Sequence, residues 1–433
     1  MKSFFVTILT LTVVQLTADS GVESNYTIMR PISGLGLGED SNFWIPSYEG
    51  ADPKLVELSN PHHCGTDAQG RVYIVDKESH SILQISADGS TLTTVAGLLS
   101  HQAGDGPDTP NPATSTALSD PNGLFVFAHG SFLILDTGNS KIRKVSADGS
   151  CLTLINYPAG FGAGRGLTAT PDGETIYFCG ETNGSFQLVK KWTAADNNIT
   201  TLTSDIPHGE RGLGNLAIAP DGSLLVTSVG AHRVYRVNQA GESVIIAGNG
   251  LEDGNILSGS LATDVSLNRV RGVAVLPDGS YFLATQKGGD IWWVDQASNR
   301  IHLFVNGASS GNAKPTDGQP RLGAVDRIAE PRAIHLATNG DLLIISNDTG
   351  VVSAVRFTCP TAPPEPAFKD QTMSWPSNWG ETVLIESSNS LSGPWSPIHG
   401  QTAGDPGSQS FDIPVTSGKQ FFRLRSPEFA AGN

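Results

Sequence analysis

The sequence predicts an all-β fold: a six-bladed β-propeller of four-stranded antiparallel blades, followed by a small β-sandwich-like domain. An apolar stretch, a Gly turn, a second apolar stretch and a polar loop recur six times, with first turns ending at Gly70, Gly130, Gly173, Gly222, Gly279 and Gly340. A second turn keeps a fixed offset, since Gly89, Gly149 and Gly241 each lie nineteen residues after the first-turn glycine of their repeat. Composition agrees: charged residues make up 16%, while 49 Gly and 26 Pro suit many short strands and tight turns. A fixed period outranks local signals, because each unit must stack on its neighbours to bury its faces.

Residues 1–20 read as a targeting segment. Lys2 is the positive start, Phe4 to Leu16 the apolar run, and Ala18-Asp19-Ser20 the small-residue spacing that predicts cleavage before Gly21. No stretch approaches the ~18 apolar residues that a membrane span needs. The mature protein is therefore expected to be soluble and not membrane-inserted, either secreted or held in the periplasm or at the cell surface.

Blade one reads HHCGTDAQG, RVYIVD, KESH, SILQIS, ADG and STLTTVAG, an antiparallel meander. Its apolar runs are joined through Asp/Asn-Gly, whose residues tolerate the positive φ that a hairpin turn requires. Blades two to five repeat the scheme, from LFVFA, FLILD, KIRKVS and CLTLI to VAVLP, SYFLA, IWWVD and IHLFVNG. Trp292 and Trp293 in blade five are expected to pack between blades. Repeat six has only IHLAT, LLIIS and VVSAVRF before the Pro-rich CPTAPPEP. A toroid must close or leave an exposed edge, so the strand at Asn25 to Gly34 is predicted to complete blade six. The propeller then occupies 21–358, an extended linker 359–367, and a β domain with Trp375, Trp379 and Trp395 fills 368–433.

The runs P-x-G-hydrophobic, D-x-x-G, h-Y-h-h-D, N/S-x-x-I and T-x-h-A-G, clearest in blades one and two, resemble the NHL repeat across Ser59 to Phe357. The linker pattern A-G-D-G-P…A-T…A-L…P at Ala103 to Pro121 belongs to the same resemblance. It implies a propeller and leaves the activity open, because the family includes binders, scaffolds and a few enzymes. The W-P opening, E-S-S-x-x-L-x-G-P-W middle and F-F-R-L-R close of the last unit resemble a C-terminal β module of exported Verrucomicrobia-type proteins, which implies a bacterial source.

A net charge of −15 excludes nucleic acid, whose phosphates need a basic face, and disfavours anionic membrane surfaces. Cys64, Cys151, Cys179 and Cys359 lack CxxC spacing and read as buried small apolar residues rather than zinc ligands. A monomer is expected.

Propeller chemistry is sought at the mouths of the innermost strands, where the long junction loops Leu98 to Asp120, Asn249 to Asn268 and Asn306 to Glu330 gather. Eight residues before each first-turn glycine stand His62, Asn122, Arg165, Gly214, Arg271 and Arg332, with His63, Asn215 and Arg211 as close neighbours in register. Three guanidiniums, an imidazole and an amide at one opening suit a carboxylate, sulfate or phosphate. His62, Asn122, Arg165, Arg271 and Arg332 are therefore the candidate ligand-binding set, and the partner is a protein, a glycan or a small anionic ligand. The competing reading is structural: Asp105, Asp108, Asp136, Glu181, Asp253, Asp290 and Asp348 in the surrounding loops would tie the arginines down.

The leading expectation is thus a secreted, non-enzymatic binding propeller with no catalytic residue and no catalytic metal. The alternative is a metal-dependent lyase or lactonase-like hydrolase acting in the channel. Peptide α-amidating lyases resemble NHL proteins and place zinc-binding histidines at strand mouths, but only His62, with adjacent His63, matches. Gluconolactonase-like propellers use Glu, Asn and Asp around a divalent metal, and only Asn122 in DPNGLFVFAHG matches. No cofactor is expected beyond a structural Ca²⁺ for which the Asp-rich loops have oxygen donors.

Overall fold

All six first turns close in the same way. Gly70 N donates to Asp67 O (3.1 Å), Gly130 N to Phe127 O (2.9 Å), Gly173 N to Thr170 O (2.8 Å), Gly222 N to Ala219 O (2.9 Å), Gly279 N to Leu276 O (2.9 Å) and Gly340 N to Ala337 O (2.9 Å). Each of these glycines has φ between 75° and 89°, the left-handed region where a Cβ is strained. The second turns repeat the bond, with Gly89, Gly149 and Gly241 donating to Ser86, Ser146 and Asn238.

The computed structural model describes residues 28–36, 41–162, 164–183, 185–252, 258–305, 307, 321–322, 328–356, 367–369, 372–377, 382–388, 396–402, 407–412 and 421–425. The expected targeting segment, Cys359, Asp253, nearly all of the Pro-rich linker, and Trp379 and Trp395 lie outside them.

From the channel outward, blade one is Pro61–Thr66, Val72–Asp76, Ser81–Ile85 and Leu92–Ala96. Blade two is Pro121–Val126, Phe132–Asp136, Lys141–Val145 and Ser150–Asn156. Blade three is Leu167–Ala169, Thr175–Asn183, Phe186–Thr193 and Asn198–Pro207; blade four is Leu213–Ile218, Leu224–Ser228, Arg233–Val237 and Ser243–Ala247. Blade five is Val270–Val275, Tyr281–Thr285, Ile291–Asp295 and Arg300–Val305. Blade six takes three strands from the end of the propeller, Pro331–Leu336, Asp341–Ser346 and Val351–Arg356, and its fourth, Ile28–Ser33, from the beginning. That strand runs antiparallel to its neighbour, with Met29 opposite Val355 and Pro31 opposite Ser353. The predicted closure is the observed one.

Four strands per blade understates three of the blades. Asn111–Pro112, Ser260–Leu261 and Arg321–Leu322 each add a two-residue fifth strand to the outer edge of blades two, five and six. All three come from the long junction loops. Those loops therefore also cover sheet edges, pairing N–H and C=O groups that would otherwise stand open.

The core lies between blades as buried apolar clusters, one at each blade junction. Blades four and five share Leu225, Val273, Tyr281 and Trp292; blades five and six share Phe282, Phe304, Ile344 and Met29, with Trp293 against them. The two tryptophans thus serve opposite faces of one strand, as period-2 geometry requires. Cys64, Cys151 and Cys179 are buried free thiols. Toward the channel the backbones themselves touch: a Cβ on Gly214 would stand 2.6 Å from Arg271 O, and one on Gly166 3.0 Å from Gly214 O. In the last unit, Ala367–Lys369, Thr372–Ser377 and Gly407–Asp412 form one antiparallel sheet, and Ser396–Thr402, Thr382–Ser388 and Phe421–Arg425 another. Among the described residues no helix is long and apolar enough to cross a membrane.

Candidate ligand-binding site at the channel mouth

Four of the five candidate mouth residues are presented by a kink two residues earlier. Asn60, Asp120, Arg269 and Glu330 have φ of 63°, 45°, 56° and 47°, and they precede His62, Asn122, Arg271 and Arg332. Asn and Asp visit this left-handed region readily; Arg and Glu do so rarely, and such backbone persists only where its surroundings over-determine it. Here the same backbone bond fixes three of the kinks, as Lys77, Gln286 and Asn347 N–H groups donate to Asn60, Arg269 and Glu330 carbonyls. The preceding loop is anchored as well. Asp76 Oδ1 accepts Ser59 N–H at 2.7 Å, Asp136 Oδ1 accepts Ser119 N–H at 2.8 Å, and Ser346 Oγ accepts Ala329 N–H at 3.1 Å.

Three of the five candidates form one chain of hydrogen bonds. Arg332 Nη1 donates to His62 Nε2 at 2.6 Å, and His62 Nδ1 lies 2.5 Å from Asn122 Oδ1. A guanidinium only donates, so His62 Nε2 is the lone-pair nitrogen and Nδ1 carries the proton. Asn122 Oδ1 is thereby consumed, and no hydrogen bond among the described residues uses its Nδ2. Burial, then the nearby charges of Arg271 and Arg332, hold the His62 imidazole well below its usual pKa, in keeping with this neutral tautomer.

The remaining arginines crowd the same opening. Arg165 Nη1 donates to Arg211 O at 2.9 Å; burial, followed by the Arg332 charge, lowers its pKa to about 10. Arg271 is only 3% exposed, and its Nε has no hydrogen-bond partner. Burial and the adjacent Arg165 and Arg332 charges push its pKa well below the ordinary guanidinium value, with Glu330 opposing them. Among the described residues no carboxylate pairs with Arg271.

Arg332 does have one: its Nη2 meets Glu330 Oε2 at 2.8 Å. Burial raises the Glu330 pKa, but Arg332 and hydrogen bonds from its neighbours, Gln286 included, more than reverse this and leave it below normal. The structural reading of the arginines therefore holds for Arg332 and not for Arg271. Most of the acidic residues nominated from sequence serve other cations. Asp105 and Asp108 bind Lys141 at 2.7 and 2.9 Å, Asp136 and Asp105 bind Arg143 at 2.7 and 2.6 Å, and Glu181 lies 3.7 Å from Lys190.

One residue deeper, Asn215 crosses the channel. With its amide nitrogen turned to the carbonyls of Arg271 (3.0 Å) and Arg332 (3.1 Å), its oxygen accepts from His63 Nε2 at 2.8 Å. Blades one and four are not neighbours in the ring, so this contact spans the central opening and floors the mouth. Sequence register had placed Asn215 and His63 near the opening; the bridge depends on which side chains reach across, which register does not encode. Glu330 was missed because it lies outside the register column, visible only as the acidic residue two before Arg332.

Among the described residues no three His, Cys, Asp or Glu side chains are grouped as a metal site. His62 could not serve as a ligand in this arrangement, since Arg332 occupies its only lone pair.

No family model and no curated protein matches the chain. Solved structures do. A protein of unknown function from Bacteroides thetaiotaomicron is 12% identical with a TM-score of 0.59, covering 76% of this chain and 76% of its own. An auxiliary nutrient binding protein from Bacteroides ovatus (13% identical, TM-score 0.57) and another from Bacteroides thetaiotaomicron (12%, 0.56) also cover 76% of each chain. At these identities the likeness is one of fold, and this chain shares the propeller scaffold.

Proposed function

We propose that this is an exported binding protein of NHL type that holds a small anionic ligand at the loop-side mouth of its propeller channel. The observation that carries the reading is Arg271. A guanidinium with 3% of its surface exposed and no carboxylate partner among the described residues is costly, because burying an unpaired charge forfeits several kcal/mol of hydration. A bound anion offsets that cost. Arg165, Arg332, His62 and Asn122 complete the wall, and the Asn215 bridge means that the ligand enters and leaves by one face. Nutrient binding in proteins of similar fold fits this role, as does the Lys2-to-Ser20 targeting segment. Zinc or another metal has no part in the proposed site.

Thermal unfolding of the wild type and of Arg271→Ala against acetate, succinate, glucuronate, sulfate, phosphate and glucose tests the reading. At 100 times its Kd a ligand of the native state stabilises by about 2.7 kcal/mol. At least one anion should raise the melting temperature of the wild type and fail to raise that of Arg271→Ala. If no compound shifts the wild type, or if Arg271→Ala responds equally, the mouth is not the binding site.

A further inference from the structure

We infer that the mouth selects a fully deprotonated oxyanion, a carboxylate or sulfate, over any ligand bearing its own hydrogen-bond donor at the contact, and that His62 is the positioning residue that sets this selectivity. The inference rests on the binding reading above and goes beyond it. Its basis is the direction of the hydrogen bonds. Arg332 can only donate, which forces His62 to accept through Nε2 and donate through Nδ1, which in turn forces Asn122 to offer its Oδ1 inward and leaves its Nδ2 as the free group. Each acceptor in this chain of hydrogen bonds already receives a donor from within the protein.

The groups left for a ligand are donors: Arg271, which has no carboxylate partner among the described residues, and the Asn122 amide N–H groups. The Glu330 carboxylate already receives Arg332 and Gln286, and the Asp348 side chain hydrogen-bonds to it as well. In the floor, the Asn215 oxygen likewise already accepts from His63.

A wall whose unengaged groups, among the described residues, are donors discriminates against a ligand whose own O–H or N–H must compete for acceptors already in use, the kind of mismatch that gives enzymes their largest selectivities. Sulfate and ionised carboxylates carry no such proton. Dihydrogen phosphate, hydrogen phosphate, amides and uncharged sugars do.

Isothermal titration with matched pairs decides the matter: sulfate against phosphate at pH 6, acetate against acetamide, and glucuronate against glucose. The deprotonated member of each pair that binds should do so at least about tenfold more tightly. In His62→Ala the Asn122 amide is free to turn its oxygen outward, so the sulfate-to-phosphate ratio should collapse toward one. A structural role for His62 would weaken both anions alike, and an unchanged ratio overturns its assignment. Phosphate or glucose binding as tightly as its partner, in a manner still lost in Arg271→Ala, overturns the donor-only wall and leaves the mouth as the site. Binding that persists in Arg271→Ala overturns both readings.

Discussion

Asp76 and Asp136 end the second strands of successive blades, and each accepts the N–H of the residue seventeen positions earlier. Their surroundings differ. Opposite Asp136 the third strand brings Lys141 and Arg143, and the fully buried Arg143 donates to Asp136 Oδ2 at 2.7 Å. The equivalent places in blade one hold Ser81 and Leu83, so among the described residues Asp76 has Ser59 and Ser79 as partners and no cation. Burial, opposed by those bonds, raises its pKa to about 7. In the unfolded chain an Asp releases its proton near pH 3.9. Between about pH 4 and 7 the native state therefore binds the extra proton, and stability falls as pH rises through that window. Asp76→Asn keeps an acceptor for Ser59 and should flatten this slope, gaining on the order of 2–4 kcal/mol over wild type at pH 8 in urea titrations. Asp136→Asn should instead cost on the order of 3 kcal/mol at any pH near neutrality, since it removes the buried one of the two carboxylates that pair with the Arg143 guanidinium. A shared sign for the two variants at pH 8 would show that their different neighbours do not matter. The strand-ending Asp was visible in the sequence as h-Y-h-h-D; its charge state was not, because the cation sits on the paired strand.

The blades were readable because turn glycines and apolar runs repeat at a fixed spacing, and each is a local property of the chain. The junction loops were only half readable. Leu98 to Asp120 looked like a binding loop by length, yet Asp105 receives both Lys141 and Arg143, and Asn111–Pro112 pairs with Ser150 and Cys151. Two-residue edge strands have no periodicity to detect. Arg165 differs from its column for a similar reason: blade three's innermost strand is shortened to Leu167–Ala169, so Arg165 stands before the strand rather than on it. The mouth depends on how closely the innermost strands approach, and Gly214 sets that distance beside Arg271. Gly214→Ala would place its Cβ 2.6 Å from Arg271 O, which the backbone must yield to accommodate. The expected cost is about 1–3 kcal/mol of stability, read from the denaturation midpoint. Anion binding should weaken along with it, because Arg271 and the Asn215 bridge both hang on that carbonyl. A variant as stable as wild type would mean that the innermost strands have slack.

The ring as a whole is held shut by one strand. Ile28–Ser33 lies between Val351–Arg356 and Arg321–Leu322, and Met29, 1% exposed, fills the core shared by blades five and six. The chain then stays on the scaffold: Gly34 N donates to Pro53 O and Leu35 N to Val56 O, each at 3.0 Å, and Val56 and Leu58 join the core between blades six and one. Removing residues 1–33 would cost the burial of Met29, about 2–3 kcal/mol, and several ladder hydrogen bonds at about 0.5–1.5 kcal/mol each. The total, on the order of 5 kcal/mol, is comparable with the entire stability of an ordinary domain. Apart from the Asn215 bridge across the channel, each blade packs its core against its two neighbours, so an opened ring should also fray from the exposed edge rather than unfold at once. Tryptophan fluorescence and far-ultraviolet circular dichroism should report coincident urea transitions for the intact protein and separate transitions for the deletion. A peptide of residues 25–36 added in trans should restore coincidence and raise the midpoint in proportion to its concentration, as expected for a ligand that binds only the native ring. An unchanged midpoint after deletion, or a peptide without effect on a destabilised deletion, would show that the blade junctions alone hold the ring.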